Sequence, residues 1–121
     1  MSLNIITRVR DKDETMKNWY SELKKLNGQK CYTLTQDRPA TMYIDDNGVT
    51  IVYPSGNSLL LPRSMITEAV HRLQSNGSLT LQEVHEEITH RNGPQSDRLM
   101  AVLRTLPGVT FSAVPRVLYL N

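Results

Sequence analysis

Residues 77–84 read Gly-Ser-Leu-Thr-Leu-Gln-Glu-Val, and they contain the clearest local folding signal in the chain. The Thr80 hydroxyl is placed to accept a hydrogen bond from the backbone N–H of Glu83, and the Glu83 carboxylate can reach back to the N–H of Thr80. Leu79 and Val84 stand at the two positions of a hydrophobic staple, which fixes the angle at which a chain enters a helix. The stretch therefore predicts a short extended segment that becomes a helix after Thr80.

Helical patterns continue on both sides of this cap. Apolar residues recur three and four positions apart in the flanking segments, which predicts one helix before the cap and another beyond the helix that it starts. Ser64 and Ser96 are the expected N-caps of these two flanking helices. After residue 62 the predicted elements are three helices and two short strands, over residues 64–75, 80–91, 96–106, 109–112 and 116–120.

The order helix, very short strand, helix, turn, helix and β-hairpin resembles the winged helix-turn-helix superfamily. Residues 77–84 look like the start of the family's second helix, where a hydrophobic residue forms a token strand and Thr80 is the cap. Leu103-Arg104-Thr105-Leu106-Pro107-Gly108-Val109 looks like the passage from the third helix into the wing. The resemblance covers residues 64–120, close to half of the chain, and no family is recognised in residues 1–62.

The resemblance implies that the third helix is a recognition helix whose first residues meet base edges in the major groove of double-stranded DNA. Arg98 is the strongest single candidate, because a guanidinium near the start of the helix can bond both acceptors of a guanine. Ser96, Asp97 and Thr105 are expected on the same outward face as Arg98. The DNA-binding set implied in this way is Arg91, Asn92, Gln95, Ser96, Arg98, Arg104 and Arg116.

Residues 1–62 predict a helix followed by a β-meander. Apolar residues from Met16 to Leu26 form one helical stripe, which predicts a helix over residues 13–26. Strands are predicted over residues 31–35, 41–45, 49–53 and 58–61. The Asn47-Gly48 pair favours a tight hairpin between the second and third strands, because both residues tolerate positive φ. The rings of Trp19, Tyr32, Tyr43 and Tyr53 are expected to pack beneath a helix rather than to form a base-stacking patch.

The predicted fold class is α+β. We expect a subdomain over residues 1–62, made of the helix and the antiparallel β-meander, packed with a winged-helix-like subdomain over residues 63–121. The 121 residues have a net charge of +2, with 39% hydrophobic and 21% charged residues, which indicates a folded domain and excludes a disordered segment. No apolar run approaches the roughly 18 residues of a membrane span, and no signal peptide is visible. We therefore expect an intracellular, cytoplasmic chain without a membrane partner.

The sequence contains no complete catalytic or metal-binding pattern. The single cysteine, Cys31, excludes an intrachain disulfide and is interpreted as a small buried hydrophobe. His85 and His90 are five residues apart, which places them about 140° apart on a helix, so they cannot share a metal ion. The loop Asp37-Arg38-Pro39 is interpreted as a structural turn. We therefore expect a binding module rather than an enzyme, with no catalytic residues, no bound metal and no cofactor.

Two functions remain open from the sequence. The first is a DNA-associated binding module, which would serve as the regulatory or recognition part of a larger DNA-processing protein. The second is a protein-interaction or scaffold module that binds a protein partner or a second copy of itself. The acidic side chains of Glu83, Glu86 and Glu87 on the second helix favour the second function, since they repel phosphates. The nearly uncharged tip of the C-terminal hairpin favours it as well.

Overall fold

The computed structural model describes residues 18–34 and 36–121. The helices are α1 (Trp19–Lys24), α2 (Arg63–Asn76), α3 (Leu81–Glu83) and α4 (Gly93–Leu103), with a π-helix (Val84–Ile88) directly after α3. The strands are β1 (Lys30–Tyr32), β2 (Pro39–Asp45), β3 (Gly48–Val52), β4 (Ser58–Pro62), β5 (Ser78–Thr80), β6 (Val109–Ala113) and β7 (Arg116–Leu120). All the strand pairs are antiparallel, and the combination with helices confirms the predicted α+β class.

Strands β1 to β4 form one sheet in chain order, which is the predicted meander. The predicted hairpin joins β2 to β3, where Asp45 pairs with Gly48. Asp45 Oδ1 accepts a hydrogen bond from the N–H of Asn47 at 2.8 Å, so a side chain closes the turn. Gly48 has a φ of +145°, but Asn47 is not among the residues of positive φ. The expectation that Asn47 also needs positive φ is wrong, because the loop is Asp46-Asn47 rather than Asn47-Gly48.

Two N-terminal predictions lie partly outside the described residues. The helix predicted over residues 13–26 is observed as α1, and residues 13–17 fall outside the description. The strand predicted over residues 31–35 is observed as β1, and residue 35 falls outside as well. β1 ends early because Thr33 Oγ1 accepts a hydrogen bond from the N–H of Arg38 at 3.0 Å, which turns the chain.

Alternation along the strands decides which aromatic rings are buried. Tyr43 lies between two buried residues of β2 and therefore faces outward, with 51% of its surface exposed. Tyr32 follows a buried residue of β1 and is 43% exposed. The prediction that these two rings pack beneath a helix is wrong for this reason. Trp19 and Tyr53, in contrast, do pack against the core.

The second sheet contains β5, β7 and β6 in that order. The capping box at the end of β5 is confirmed, since Thr80 Oγ1 accepts a hydrogen bond from the N–H of Glu83 at 3.0 Å. Glu83 Oε1 in turn accepts one from the N–H of Thr80 at 3.3 Å. Leu79 and Val84, the predicted staple residues, are both fully buried. The predicted C-terminal hairpin joins β6 to β7.

The helix predicted over residues 64–75 begins one residue earlier than expected. Pro62 ends β4 in an extended conformation, and α2 starts directly after it at Arg63. The prediction that Ser64 caps this helix is therefore wrong, because Ser64 lies inside the first turn. Gly77 ends α2 with a φ of +77°, in the left-handed region that glycine readily adopts after the last residue of a helix.

The helix predicted over residues 80–91 changes character after its first turn. The π-helix Val84–Ile88 follows α3, and the N–H of Thr89 donates to the carbonyl five residues back at 2.9 Å. His90 and Arg91 then adopt positive φ angles of +53° and +69°. These left-handed residues turn the chain toward α4, so the helical segment ends before its predicted last residue.

α4 begins three residues earlier than predicted. The Asn92 side chain accepts a hydrogen bond from the N–H of Gln95 at 3.1 Å, which makes Asn92 the N-cap in place of Ser96. Ser96 and Asp97 are only 2% and 8% exposed, so the prediction that they face outward is wrong. The reason is helical spacing, since these two residues precede buried residues of the inner stripe by three positions.

The buried side chains form one hydrophobic cluster that draws on both sides of position 62. Leu23, Met42 and Ile51 contribute from one side and are fully buried. Leu73 and Leu103 contribute from the other and are equally buried. α4 contacts β1 and β4 as well as the π-helix. The four-stranded sheet therefore lies against α4, and this contact shapes the surface around the start of that helix.

Candidate functional site

Three neighbouring cavities surround the first turn of α4. We call them the Arg116 cavity, the Thr33 cavity and the Tyr53 cavity, and their volumes are about 650, 400 and 600 Å³. The Thr33 cavity shares Asp97 with the first and Arg98 with the third. Because neighbouring cavities share lining residues, we name the three together the α4 cleft. The four-stranded sheet and the C-terminal hairpin both contribute side chains to it.

The Arg116 cavity lies between the start of α3, the first turn of α4 and the tip of the β6–β7 hairpin. Arg116 begins β7 and is half-buried, while Gln82 and His85 line the side formed by α3 and the π-helix. Asp97 is the one carboxylate among the described residues that line this cavity. A guanidinium, an imidazole and an amide therefore meet around this cavity, and all three can donate hydrogen bonds to an anion.

The contact between His85 and Ser96 has the spacing of a base and a nucleophile. His85 Nδ1 lies 3.0 Å from Ser96 Oγ. The same hydroxyl donates to the Asn92 carbonyl at 2.8 Å and lies 2.5 Å from Thr89 Oγ1. A nucleophile must reach its substrate, whereas this oxygen is enclosed by three partners in a residue that is 2% exposed. The contact therefore joins the π-helix to α4 and holds the imidazole at the cavity wall.

Asp97 has its charge compensated inside the fold. Its Oδ1 accepts a hydrogen bond from the N–H of Leu34 at 3.0 Å and lies 3.3 Å from Arg98 Nη1. Hydrogen bonds to an ionised carboxylate are among the stronger neutralising contacts in proteins. These two contacts therefore reduce the repulsion that Asp97 would exert on a bound anion.

Arg98 reaches from α4 to the sheet and forms part of the wall of the Tyr53 cavity. Its Nε donates to Tyr53 Oη at 2.5 Å, and the guanidinium carbon lies 5.3 Å from the centre of the Tyr53 ring. Arg38, Gln36 and Asn57 line the same cavity from the loops of the sheet. Arg38 is exposed, so its guanidinium is open to solvent at the rim.

The start of α4 adds positive potential to the cleft. An α-helix has a partial positive charge at its N-terminus, where the first backbone N–H groups have no helical partner. In α4 the Asn92 side chain and carbonyl accept from the N–H groups of Gln95 and Ser96. The helix dipole remains, and its positive end adds to the positive potential of the arginines of the cleft.

The seven residues that the sequence implied for DNA binding do not lie together. Ser96 and Arg116 line the Arg116 cavity, and Arg98 lines the other two cavities. Asn92 caps α4, and Arg91 is exposed in the preceding turn. These five residues therefore surround the first turn of α4.

The two remaining residues contact the four-stranded sheet. Gln95 Nε2 donates to the Leu60 carbonyl at 3.4 Å. Arg104 Nη2 donates to the Tyr32 carbonyl at 3.0 Å, and its guanidinium lies over the ring of Phe111. Arg104 lines none of the three cavities, so it lies outside the cleft.

Sequence reasoning missed Arg38, Tyr53 and His85 as residues of this surface. Arg38 was interpreted only as part of a structural turn, and Tyr53 only as a ring that packs beneath a helix. His85 was considered solely as a metal ligand. No local pattern connects these residues, because 45 positions separate Tyr53 from Arg98.

Two classes of feature are not found in the part of the chain that the structure describes. No group of three histidine, cysteine or acidic side chains there is arranged to hold a metal ion. Within residues 18–34 and 36–121, no helix has the length and apolar character needed to cross a bilayer.

Comparisons of the chain with protein-family models, with curated proteins and with solved structures find no match.

Proposed function

We propose that the chain is a DNA-associated binding module, with residues 64–120 arranged as a winged helix-turn-helix. The surface that contacts duplex DNA is the α4 cleft. The observation that carries this proposal is that Arg38, Arg98 and Arg116 line neighbouring cavities around the start of a helix. Affinity for a nucleic acid comes largely from cationic side chains spread along the phosphate backbone. The cleft has this distribution, and its buried acid is compensated.

The order of elements gives independent support. After residue 62 come a helix, a three-residue strand, a helical segment, a further helix and a β-hairpin. This is the order on which the resemblance to the winged helix-turn-helix superfamily rests. In that family the start of the last helix and the hairpin lie near the nucleic acid, and here both border the Arg116 cavity.

Phosphate contact is favoured over reading of bases. Gln95, Arg98 and Arg104, which a recognition helix would present to a major groove, make hydrogen bonds to the sheet. Side chains held in this way are poorly placed to reach base edges. They can still contact backbone phosphates and so fix the position of the protein on a duplex. We therefore assign Arg38, Arg98 and Arg116 to backbone phosphates and expect weak sequence preference.

The experiment is fluorescence anisotropy of a labelled, mixed-sequence duplex with 5′-hydroxyl ends, titrated at several salt concentrations. Each phosphate contact contributes about 0.9 to the slope of log affinity against log salt. We expect Arg38→Ala and Arg116→Ala each to weaken binding and to lower this slope by about one contact.

Lys25→Ala is the matched control. It removes one positive charge from an exposed side chain that lines none of the three cavities. We expect this variant to keep the salt slope of the unmodified chain. Absence of duplex binding at low salt would overturn the proposal, and an equal loss in Lys25→Ala would remove the assignment to the cleft.

A protein-interaction module is the second candidate, and one observation favours it. The outer face of the four-stranded sheet exposes Tyr32, Tyr43 and Leu60, which are 43%, 51% and 52% accessible. Exposed apolar groups on one sheet face are typical of surfaces that contact another protein. Sedimentation velocity over a range of protein concentrations tests for self-association through this face, with Tyr43→Ser as the variant that should abolish it.

A further inference from the structure

The Tyr53 cavity has properties that a general phosphate-binding surface does not need. It is a recess of about 600 Å³ rather than a flat patch. Recesses of a few hundred cubic ångströms are the usual size of sites for small organic ligands. Pro94, from the start of α4, and Leu59 give the walls apolar area, while Gln36 and Asn57 supply amide groups. The cavity therefore suits a compact molecule with both a ring and polar substituents.

Among the residues that the structure describes, those that line the Tyr53 cavity include two arginines, Arg38 and Arg98, and no aspartate or glutamate. Asp37, the neighbour of Arg38, lines none of the three cavities. Asp97, which lines the neighbouring Thr33 cavity, lies 3.3 Å from Arg98 Nη1 and offsets part of its charge. Arg38 and the remaining guanidinium donors of Arg98 still favour an anion, and a phosphate monoester carries nearly two negative charges at neutral pH.

Arg98 is held in place before any ligand arrives. Tyr53 Oη accepts from its Nε at 2.5 Å, and Asp97 lies 3.3 Å from its Nη1. Asp97 is itself fixed by the N–H of Leu34 at 3.0 Å. Nη2 donates to none of the residues in 18–34 and 36–121. A guanidinium fixed at two positions, with donors left over, loses little freedom when it binds a phosphate.

We propose that the Tyr53 cavity is a binding site for a phosphate monoester attached to a body of nucleotide size. Arg98 binds the phosphate through its remaining donors, Arg38 adds the second charge, and Tyr53 is a positioning residue that acts through Arg98. The ligand comes from one of two sources, a 5′-phosphorylated strand end or a free nucleotide. Only the strand-end source rests on the proposed function.

The experiment has two arms that use the full chain. In the first arm, anisotropy competition compares one duplex with 5′-phosphate ends against the same duplex with 5′-hydroxyl ends. In the second, calorimetry compares adenosine 5′-monophosphate with adenosine. Charge-assisted hydrogen bonds are about twice as strong as neutral ones, so we expect the phosphorylated form to bind about tenfold tighter or more.

Tyr53→Phe tests the positioning role, because it removes the acceptor of Arg98 Nε and keeps the ring. We expect the preference for the phosphorylated form to fall several-fold, while circular dichroism and the melting temperature show an intact fold. Tyr43→Phe is the matched control, since it makes the same chemical change at a residue that faces outward and lines neither the Tyr53 cavity nor the other two of the cleft. We expect this control to keep the full preference. A purely structural role of Tyr53 would lower stability and leave the preference unchanged.

The outcomes separate the inference from the proposed function. A preference in both arms supports the site without regard to source, and a preference in one arm supports it and identifies the source. Equal binding of phosphorylated and unphosphorylated forms in both arms overturns the inference. If duplex binding with a steep salt slope persists in that case, the proposed function stands. If the nucleotide binds and the duplex does not, the inference stands and the proposed function fails.

Discussion

Single side chains decide where α3 and α4 begin. Thr80 and Asn92 each accept a hydrogen bond from the N–H three residues later, at 3.0 Å and 3.1 Å. The first cap could be predicted because Glu83 completes a reciprocal pair at fixed spacing. The second was missed because Ser96, another good capping residue, lies in the next turn. Several residues of one segment can cap equally well in isolation, so local preference alone does not rank them.

Thr80→Ala should lower the free energy of unfolding by about 1 kcal/mol, because the N–H of Glu83 loses its acceptor. Urea denaturation followed by circular dichroism measures this change. Thr67→Ala is the control, since Thr67 lies within α2 and its side chain makes no hydrogen bond to any described residue. Equal losses in the two variants would show that the cap contributes nothing specific.

The Cys31 thiol should make the protein less stable at alkaline pH. Burial raises its pKa, and the residue is 2% exposed. The folded state then holds the proton more tightly than the unfolded state, so the thiol's contribution is complete below the unfolded pKa of about 8.5. It is lost as the pH rises through the raised pKa. Urea denaturation at a series of pH values should show that the free energy of unfolding falls as the pH rises above about 8.5.

In Cys31→Ala the free energy of unfolding should fall less steeply with rising pH, whatever the stability of the variant at neutral pH. Some dependence should remain, because burial also raises the pKa of Tyr20. Its hydroxyl donates to the Asp45 carbonyl at 2.6 Å, which likewise favours the protonated form. Identical pH slopes in the variant and the unmodified chain would rule out the thiol as the source.

At the scale of elements, the β2–β3 hairpin is fixed by the strand and helix that follow it. The N–H of Arg63, at the start of α2, donates to the Asn47 carbonyl in the hairpin loop at 2.9 Å. Gly48 lies directly against the end of β4, with which it pairs at Pro62. The sequence predicted the hairpin from its turn residues. It did not predict that the backbone of β4 lies directly against the same glycine.

Gly48→Ala should destabilise the protein far more than Gly56→Ala. Both glycines have positive φ, +145° and +93°, which strains any other residue. A Cβ at position 48 would also overlap the Leu61 carbonyl oxygen and lie 2.9 Å from the backbone nitrogen of Arg63, whereas nothing lies within 4 Å at position 56. We expect the first variant to lose at least about 2 kcal/mol more in urea denaturation. Equal losses would mean that φ alone sets the cost.

At the scale of the whole molecule, the sheet of β1–β4 and the helices after residue 62 share one hydrophobic cluster. Polar contacts cross the same boundary, from Asp97 to Leu34 and from Arg98 to Tyr53. The Thr33 and Tyr53 cavities of the α4 cleft are lined from both parts, whereas the Arg116 cavity is lined by residues after position 62. The shape of the first two cavities therefore depends on the docking of the two parts.

The shared core predicts that the chain unfolds in one cooperative transition. Trp19 is the only tryptophan, and its fluorescence reports on the part before residue 62. Far-UV circular dichroism is dominated by the longer helices, α2 and α4, which lie after it. We expect the two signals to give the same midpoint in urea, which is the test of a two-state transition. Separate midpoints would show that the two parts unfold independently.

The elements follow from contacts between near neighbours in the sequence. The capping box joins residues three positions apart, and the hairpin turn at Asp45 joins residues two apart. Periodicity likewise identified the inner faces of α4 and β2, because a buried stripe repeats within a few residues. The α4 cleft follows from contacts of another kind. The hydrogen bond of Arg98 spans 45 positions, and that of Asp97 spans 63. Such contacts exist only after the layers have docked, so the tertiary structure alone selected the arginines that share a cavity.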